Sequence, residues 1–122
     1  MTSGTGRRLL VVEDHEDTAE MYRMLLELAG HEVRVARTGE QGLALLRDAL
    51  PDLMLIDVGL PDINGYALAR LVRAEPGGAR PILVAVTGYA SPDDRARAHE
   101  SGFDHHFSKP VDLGALAALL GA

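Results

Sequence analysis

The sequence predicts a single α/β domain in which a parallel sheet is covered by helices on both faces. Short aliphatic runs alternate with helical patterns along the whole chain, and this alternation is typical of strand–helix–strand units with right-handed crossovers. Runs such as 9–12 and 53–56 are continuously apolar, as expected for strands that are buried on both faces. These two observations together predict five strands and five helices.

Start and stop signals delimit each element in turn. The predicted strands are 9–12, 31–36, 53–56, 82–86 and 105–108. Two of the predicted helices are 17–29 and 66–74. A third begins after Thr38 and runs through 50, a fourth begins after Ser91, and a fifth begins after Asp112 and runs through 120. Thr38 followed by Gln41 is a capping-box signature, and Ser91-Pro92 is an N-cap followed by a proline at the first helical position. The helix after Ser91 carries little besides alanine on its apolar side, so we expect it to be the least firmly held.

Composition limits the classes of function. A chain of 122 residues is long enough for one domain with a substantial core, which we expect at 8–122 after a flexible tail at 1–7. The net charge of −6 argues against a nucleic-acid or membrane-surface partner. The sequence has no apolar run of membrane-spanning length and no cysteine, so thiol chemistry is excluded and a cytoplasmic location fits best.

Polar side chains follow the predicted strands at the points where four of them end. Glu13 and Asp14 follow the first strand, and Asp57 follows the third. Thr87 follows the fourth strand and Lys109 follows the fifth. Because ligands of doubly wound sheets bind beyond the carboxyl ends of the strands, we expect these side chains to meet at one edge.

Three acids, one hydroxyl and one amine suit the acceptance of a phosphoryl group by a carboxylate. Asp57 is the candidate nucleophile. Glu13 and Asp14 are candidate ligands of Mg²⁺, directly or through water, because Mg²⁺ prefers carboxylate, water and phosphate oxygens. Lys109 and Thr87 would neutralise and hydrogen-bond the phosphoryl oxygens. Singly, each residue is more simply explained as a cap, a turn or a surface group, so it is their joint placement that favours a site.

Four segments resemble the receiver domain of two-component response regulators, in the order and spacing of that family. They are LLVVEDHED, LMLIDVGLPDINGY, ILVAVTGYA and FSKPV, and the resemblance extends over essentially the whole chain. It implies a flavodoxin-like (βα)5 fold with the strand order 2-1-3-4-5. It also implies that Asp57 takes a phosphoryl group from the phosphohistidine of a histidine kinase or a histidine phosphotransfer domain, and that a downstream protein responds.

The resemblance further implies the details of the site. Mg²⁺, with Mn²⁺ as an alternative, would be bound by Glu13, Asp14, Asp57 and the backbone carbonyl of Gly59. Thr87 and His106 would form the switch, and the Lys109–Pro110 peptide bond would be cis. Such a chain is expected to be a bacterial signalling domain rather than an enzyme, a monomer or a weak dimer, with no direct nucleic-acid or membrane partner.

Three positions depart from the usual pattern of the family. His106 stands where the family usually has tyrosine or phenylalanine. Gly59 and Tyr89 offer no carboxylate or amide to orient a hydrolytic water, which predicts a slowly decaying aspartyl phosphate. The segments GLP and DHHFSKPVD are most similar in style to receivers of hybrid sensor kinases.

Two other classes of protein were considered for the same fold. A phosphatase that forms an aspartyl phosphate would be expected to carry a second aspartate two residues after the nucleophile, where this chain has Gly59. A flavin-binding protein of the flavodoxin type would need a Ser/Thr/Gly-rich phosphate loop after the first strand, where this chain has EDHED. Both alternatives are therefore less favoured than a receiver.

Overall fold

Five parallel strands form one sheet, and five helices cover its two faces. The computed structural model describes residues 6–88, 91–109 and 111–120. The strands are β1 (Arg8–Val12), β2 (Glu32–Ala36), β3 (Leu53–Asp57), β4 (Ile82–Thr87) and β5 (His105–Ser108). The helices are α1 (Glu16–Leu28), α2 (Gly39–Asp48), α3 (Gly65–Ala74), α4 (Pro92–Ser101) and α5 (Leu113–Leu119). The strands lie in the order β2-β1-β3-β4-β5 with parallel neighbours, so the predicted flavodoxin-like topology is confirmed.

Alternate residues of each central strand pack into two separate cores. Leu10 and Ile56 belong to the core beneath α2, α3 and α4, whereas Val11 and Leu55 belong to the core beneath α1 and α5. All four side chains are at most 2% exposed. This double burial explains why the strands are continuously apolar instead of alternating. Within the described part of the chain, no helix is both long enough and apolar enough to cross a membrane.

The predicted helix caps are present, with one difference in the capping box of α2. The Thr38 hydroxyl accepts a hydrogen bond from the Gln41 amide at 3.1 Å, but the Gln41 side chain accepts from the amide of Arg37, at 2.7 Å, instead of from Thr38. The capping box of α4 is complete, because Ser91 and Asp94 each accept a hydrogen bond from the other's amide. Both helices therefore begin where the sequence predicts.

Element ends differ from the predictions by one or two residues. Helix α2 ends at Asp48, two residues before the predicted end. Leu50 precedes Pro51, and the proline ring disfavours helical backbone at the residue before it. Strands β3 and β4 each continue one residue further than predicted, to Asp57 and Thr87. Both of these candidate site residues thus belong to the rigid sheet.

Helix α1 turns its most apolar stripe to solvent. The residues whose helical spacing predicts the helix are 40–82% exposed: Met21, Met24, Leu25 and Leu28. The residues that α1 buries are Ala19, Tyr22 and Leu26. The spacing therefore predicts the helix correctly but does not identify the face that packs against the sheet.

Candidate functional site

Asp57 is the last residue of β3 and lies at the centre of the candidate site. Its side chain is only 5% exposed. One carboxylate oxygen, Oδ1, accepts a hydrogen bond from the amide of Gly59 at 3.0 Å. The other, Oδ2, lies 3.3 Å from Nζ of Lys109. The buried Asp57 carboxylate thus has an amide donor on one oxygen and a cation beside the other.

Glu13 lies next to Asp57 and is also buried, at 2% exposure. The Glu13 amide donates to the carbonyl of Ala36 at 2.9 Å, which extends the pairing of β1 with β2 past the last strand residue. Burial raises the pKa of Glu13, the negative charge of Asp57 adds to this rise, and a hydrogen bond from the His15 amide opposes it. Burying a second carboxylate beside Asp57 is thus unfavourable, and a cation in addition to Lys109 would offset this cost.

Asp14 completes an acidic cluster with Glu13 and Asp57. Its side chain is 28% exposed, and its Oδ1 atom is buried with no hydrogen-bond partner among the described residues. Single ligand atoms of Glu13, Asp14, His15 and Asp57 all lie within 4.8 Å of one another. Hard carboxylate oxygens at this spacing, one of them without a hydrogen bond, fit the requirements of a divalent cation.

Lys109 and Thr87 approach the cluster from the last two strands. Thr87 ends β4, is 4% exposed and lies beside Ser108 of β5 in the sheet register. The Lys109 amide donates to the Thr87 carbonyl at 2.8 Å, so the two residues are held together through the backbone. Lys109 is the only lysine of the chain, and it supplies a positive charge on one side of Asp57.

The loop after β3 is held in place at both of its ends. The Gly65 amide donates to the Val58 carbonyl at 2.8 Å, and a Cβ at Gly65 would lie 2.7 Å from the Val58 Cα and 3.1 Å from the Asp57 carbonyl oxygen. Only glycine permits so close an approach of α3. The Asp62 carboxylate accepts from the amides of Gly39, at 2.9 Å, and Glu40, at 3.0 Å. These amides lower the pKa of Asp62, and the contacts fix the loop that carries Gly59.

His106 lies apart from the acidic cluster, on the side of the sheet that faces α4. It is paired with Ala85 in the register of β4 and β5, and it lines a small cavity of about 60 Å³ with Arg95 and Ala98 of α4. Both ring nitrogens are buried and have no hydrogen-bond partner among the described residues. Burial, and then the charge of Arg95, lower the pKa of His106, so the neutral ring is favoured.

The structure therefore gathers most of the residues that the sequence proposes. Glu13, Asp14, Asp57 and Lys109 lie in one cluster, with the Thr87 backbone bonded to Lys109. Gly59 contributes an amide to Asp57, and the predicted role of its carbonyl as a metal ligand stays a prediction. The expectations for Tyr89 and for a cis bond at Pro110 lie outside the described residues.

His15 is a residue of the cluster that the sequence analysis does not single out. Its Nδ1 atom lies 3.1 Å from a carboxylate oxygen of Glu13 and 3.4 Å from one of Asp14. The only signal in the sequence is its place directly after the two acids in EDHED. A lone histidine at the start of a helix is compatible with many roles, so its position gave no reason to assign it to the site.

The chain is similar to known proteins over most of its length. Residues 9–121 match the family model of the response regulator receiver domain. The chain is 40% identical over 104 residues to an uncharacterized 14.6 kDa protein of Leptolyngbya boryana, covering 85% of this chain and 79% of that one. It is 37% identical over 114 residues to the virulence sensor protein BvgS of Bordetella pertussis, covering 89% of this chain but only 9% of BvgS.

A solved structure shows the same likeness. The receiver domain of the sensor histidine kinase PA1611 from Pseudomonas aeruginosa PAO1 superposes with a TM-score of 0.85 at 28% identity, covering 94% of each chain. That structure has a magnesium ion coordinated in its active-site cleft. From the family match over nearly the whole chain, the strand order and the placement of the acids, we conclude that this protein belongs to the receiver domain family of two-component response regulators.

Proposed function

We propose that Asp57 accepts a phosphoryl group from the phosphohistidine of a histidine kinase or a histidine phosphotransfer domain, and that a downstream protein reads the change. The observation that carries the proposal is the buried Asp57 carboxylate with two further acids and Lys109 around it, in a chain of the receiver family. The family match supports a signalling domain. The proposal goes one step further and assigns the acceptance of the phosphoryl group to Asp57. The cytoplasmic location expected from the sequence remains a prediction.

In the transfer, a carboxylate oxygen of Asp57 attacks phosphorus and forms a P–O bond. The P–N bond of the donor breaks, its electron pair goes to the imidazole of the partner, and that ring takes up a proton. The attacking group is the Asp57 carboxylate, whose oxygens lie beside the Gly59 amide and Nζ of Lys109. The donor imidazole belongs to the partner, so this chain need not supply a general acid.

Glu13, Asp14, Asp57 and the Gly59 carbonyl would hold the divalent cation. When bound, Mg²⁺ would supply positive charge for the phosphoryl oxygens and offset the repulsion among the acids. Three features support its binding here, namely the close spacing of the ligand atoms, the burial of Glu13, and the Asp14 oxygen without a hydrogen bond. The magnesium ion in the cleft of the PA1611 receiver is consistent with the same choice of metal.

Lys109 and Thr87 would act on the opposite side of the incoming group. The ammonium of Lys109 lies 3.3 Å from Asp57, so we expect it to neutralise a phosphoryl oxygen on that carboxylate. We expect the hydroxyl of the buried Thr87 to hydrogen-bond another oxygen. Because Thr87 is tied to Lys109 through the backbone, a movement of one would be transmitted to the other.

Neither alternative considered from the sequence gains support from the site. The position two residues after Asp57 is Gly59, whose contact with Asp57 is made through its amide, so no second acid is present there for a phosphatase mechanism. The segment after β1 places carboxylates, not phosphate-binding amides, at the carboxyl end of the sheet. A flavin phosphate at this position would be repelled.

The proposal is tested with phosphoramidate, a small donor that carries the same P–N bond as phosphohistidine. We expect intact-mass spectrometry to show one added phosphoryl group in Mg²⁺ and far less in EDTA. Equal labelling in EDTA would contradict the role of the cation. Labelling by acetyl phosphate but not by phosphoramidate would contradict the proposed class of donor.

A further inference from the structure

His15 brings a nitrogen ligand into an otherwise all-oxygen site. It follows Glu13 and Asp14 directly and occupies the N-cap position of α1, where its side chain makes no capping hydrogen bond. The backbone amide of His15 donates to Glu13 at 3.0 Å, and Nδ1 of the ring lies 3.1 Å from the same carboxylate oxygen. The side chain is 69% exposed, so the ring can move without disturbing the core.

The spacing of the four side chains suits direct coordination of one ion. Ligands about 2.1 Å from a metal are about 3 Å apart when adjacent and about 4.2 Å apart when opposite. The ligand atoms of Glu13, Asp14, His15 and Asp57 lie within 4.8 Å of one another. This spacing is close to that of ligands around one ion, and on coordination the His15–Glu13 hydrogen bond would be replaced by two metal bonds.

An imidazole changes which ion such a site prefers. Mg²⁺ takes oxygen ligands almost exclusively, whereas imidazole is a good ligand for Zn²⁺, Ni²⁺ and other first-row ions. Affinity for a mixed nitrogen and oxygen site rises from Mn²⁺ through Co²⁺ and Ni²⁺. The loss of His15 should consequently affect these ions and leave Mg²⁺ nearly unchanged.

We propose that His15 coordinates the divalent cation through Nδ1 and makes this site favour first-row transition ions over Mg²⁺. This inference rests on the proposed function, because it requires the acidic cluster to be a cation site. It goes beyond that function by assigning a ligand and a metal preference to a residue that the phosphoryl-transfer proposal does not use. A ring bound through Nδ1 would carry its proton on Nε2, which points away from the acids.

Pulsed electron paramagnetic resonance of bound Mn²⁺ tests the coordination directly. We expect the purified chain with Mn²⁺ to show coupling to an imidazole ¹⁴N nucleus. The coupling should disappear in His15→Asn, which keeps a good N-cap residue, and persist in the control His105→Asn, which removes an exposed histidine of β5. An excess of Mg²⁺ should displace the Mn²⁺ and abolish the signal, because the two ions share one site.

Calorimetric titration separates this inference from the proposed function. We expect His15→Asn to weaken Ni²⁺ binding about tenfold or more and to change Mg²⁺ affinity less than twofold. If Mg²⁺ binds and Ni²⁺ affinity is unaffected, the role of His15 is wrong and the cation site stands. If neither ion binds the wild-type chain, the cation site itself is wrong, and the inference fails with it.

Discussion

Two regions of the molecule bury polar side chains in opposite ways. In the acid site, formed by Glu13, Asp14, Asp57 and Lys109, the buried carboxylates of Glu13 and Asp57 each have an amide donor, and Asp57 has a cation beside it. On the α4 face, formed by Asp94, Arg95, Ala98, His99 and His106, the half-buried imidazole has two buried nitrogen atoms with no hydrogen-bond partner among the described residues. The acid site is thus arranged before a ligand arrives, whereas the described part of the chain offers no hydrogen bond to the ring of His106.

The helices beside the two regions also differ in how many side chains they bury. Helix α3, which begins beside Asp57, buries Tyr66, Leu68 and Val72. Helix α4 buries only Ala98 and Ser101. This is the weak apolar side that the sequence predicts for α4. If Asp57 accepts the phosphoryl group as proposed, the reaction takes place beside a firmly packed helix, and we expect the response to be largest in the weakly packed α4.

The largest expected effect on the free energy of unfolding comes from replacing the imidazole of His106. His106→Phe should raise the free energy of unfolding by about 1–3 kcal/mol at pH 7, because no buried nitrogen is then left without a partner. The difference should widen as the pH falls below about 6.5. The folded state lowers the pKa of His106, so the unfolded chain binds the extra proton and wild-type stability is lost toward acid.

Urea denaturation between pH 5 and 8 measures this difference. Asp94, Arg95 and His99 of α4 lie on the same face as His106, and they are unchanged in the variant. The control His105→Gln removes an exposed histidine one residue away and should leave the slope with pH in place. A parallel pH dependence in wild type and His106→Phe would contradict the burial of a neutral ring.

A matched pair of helix substitutions tests the difference in packing. Ala69 of α3 and Ala98 of α4 are both buried, at 0% and 1% exposure. Ala69→Gly should lower the free energy of global unfolding by about 1–2 kcal/mol, from lost helix propensity and a lost methyl group. Ala98→Gly should lower it less, because we expect α4, which buries few side chains, to open before the rest of the domain, so that the loss appears in that local step. Native-state hydrogen exchange of the α4 amides would reveal this opening, and equal effects in both helices would refute it.

Removing one charge from the acid site should have a smaller effect on the free energy of unfolding. The sign of this effect should depend on whether a divalent cation is bound. Without a divalent ion, Asp14→Asn should stabilise the fold by up to about 1 kcal/mol, because it relieves repulsion from Glu13 and Asp57. With Mg²⁺ at one hundred times its Kd, the wild-type chain should gain about 2.7 kcal/mol, and the variant less. Thermal melts without Mg²⁺ measure the stability change caused by Asp14→Asn, and melts with Mg²⁺ measure the stability that each chain gains from the ion. The control Asp93→Asn removes an exposed acid from the first turn of α4. It should lower the stability by about 0.3–1 kcal/mol through the helix dipole and leave the gain from Mg²⁺ unchanged.

The smallest expected effect on the rate of phosphorylation comes from replacing His106 with tyrosine, one of the residues that the family usually has at this position. His106→Tyr should leave the rate of Asp57 phosphorylation within a few-fold, since His106 belongs to the α4 face and not to the acid site. The same substitution should change backbone amide shifts along α4 and β5 on phosphorylation. If phosphorylation is abolished instead, His106 takes part in the reaction and the separation of the two regions is wrong.

Much of the fold follows from local signals. Continuous apolar runs predict the strands, and residues such as Ser91 and Pro51 predict where helices start and stop. The acid site could also be predicted, because a parallel sheet brings the carboxyl ends of its strands to one edge, and Glu13, Asp57 and Lys109 lie at the ends of β1, β3 and β5. These inferences depend only on position along the chain.

The remaining features depend on contacts between distant segments. The cap that Asp62 provides to α2 joins residues 22 and 23 positions apart, and no local motif indicates it. The orientation of α1 is set by how Tyr22 and Leu26 pack against the sheet. The spacing of the exposed methionines therefore predicts the wrong buried face for this helix. Local sequence could not predict either that His106 has no hydrogen-bond partner in the described part of the chain, because this depends on the side chains that α4 places beside it.

The most direct test of the central claim is intact-mass spectrometry after incubation with acetyl phosphate and Mg²⁺. We expect one added phosphoryl group on the wild-type chain, the same addition on the control Asp93→Ala, and none on Asp57→Ala. Circular dichroism of Asp57→Ala should match the wild type, so that loss of labelling is not loss of folding. Labelling that survives in folded Asp57→Ala would show that another residue accepts the phosphoryl group and would contradict the account.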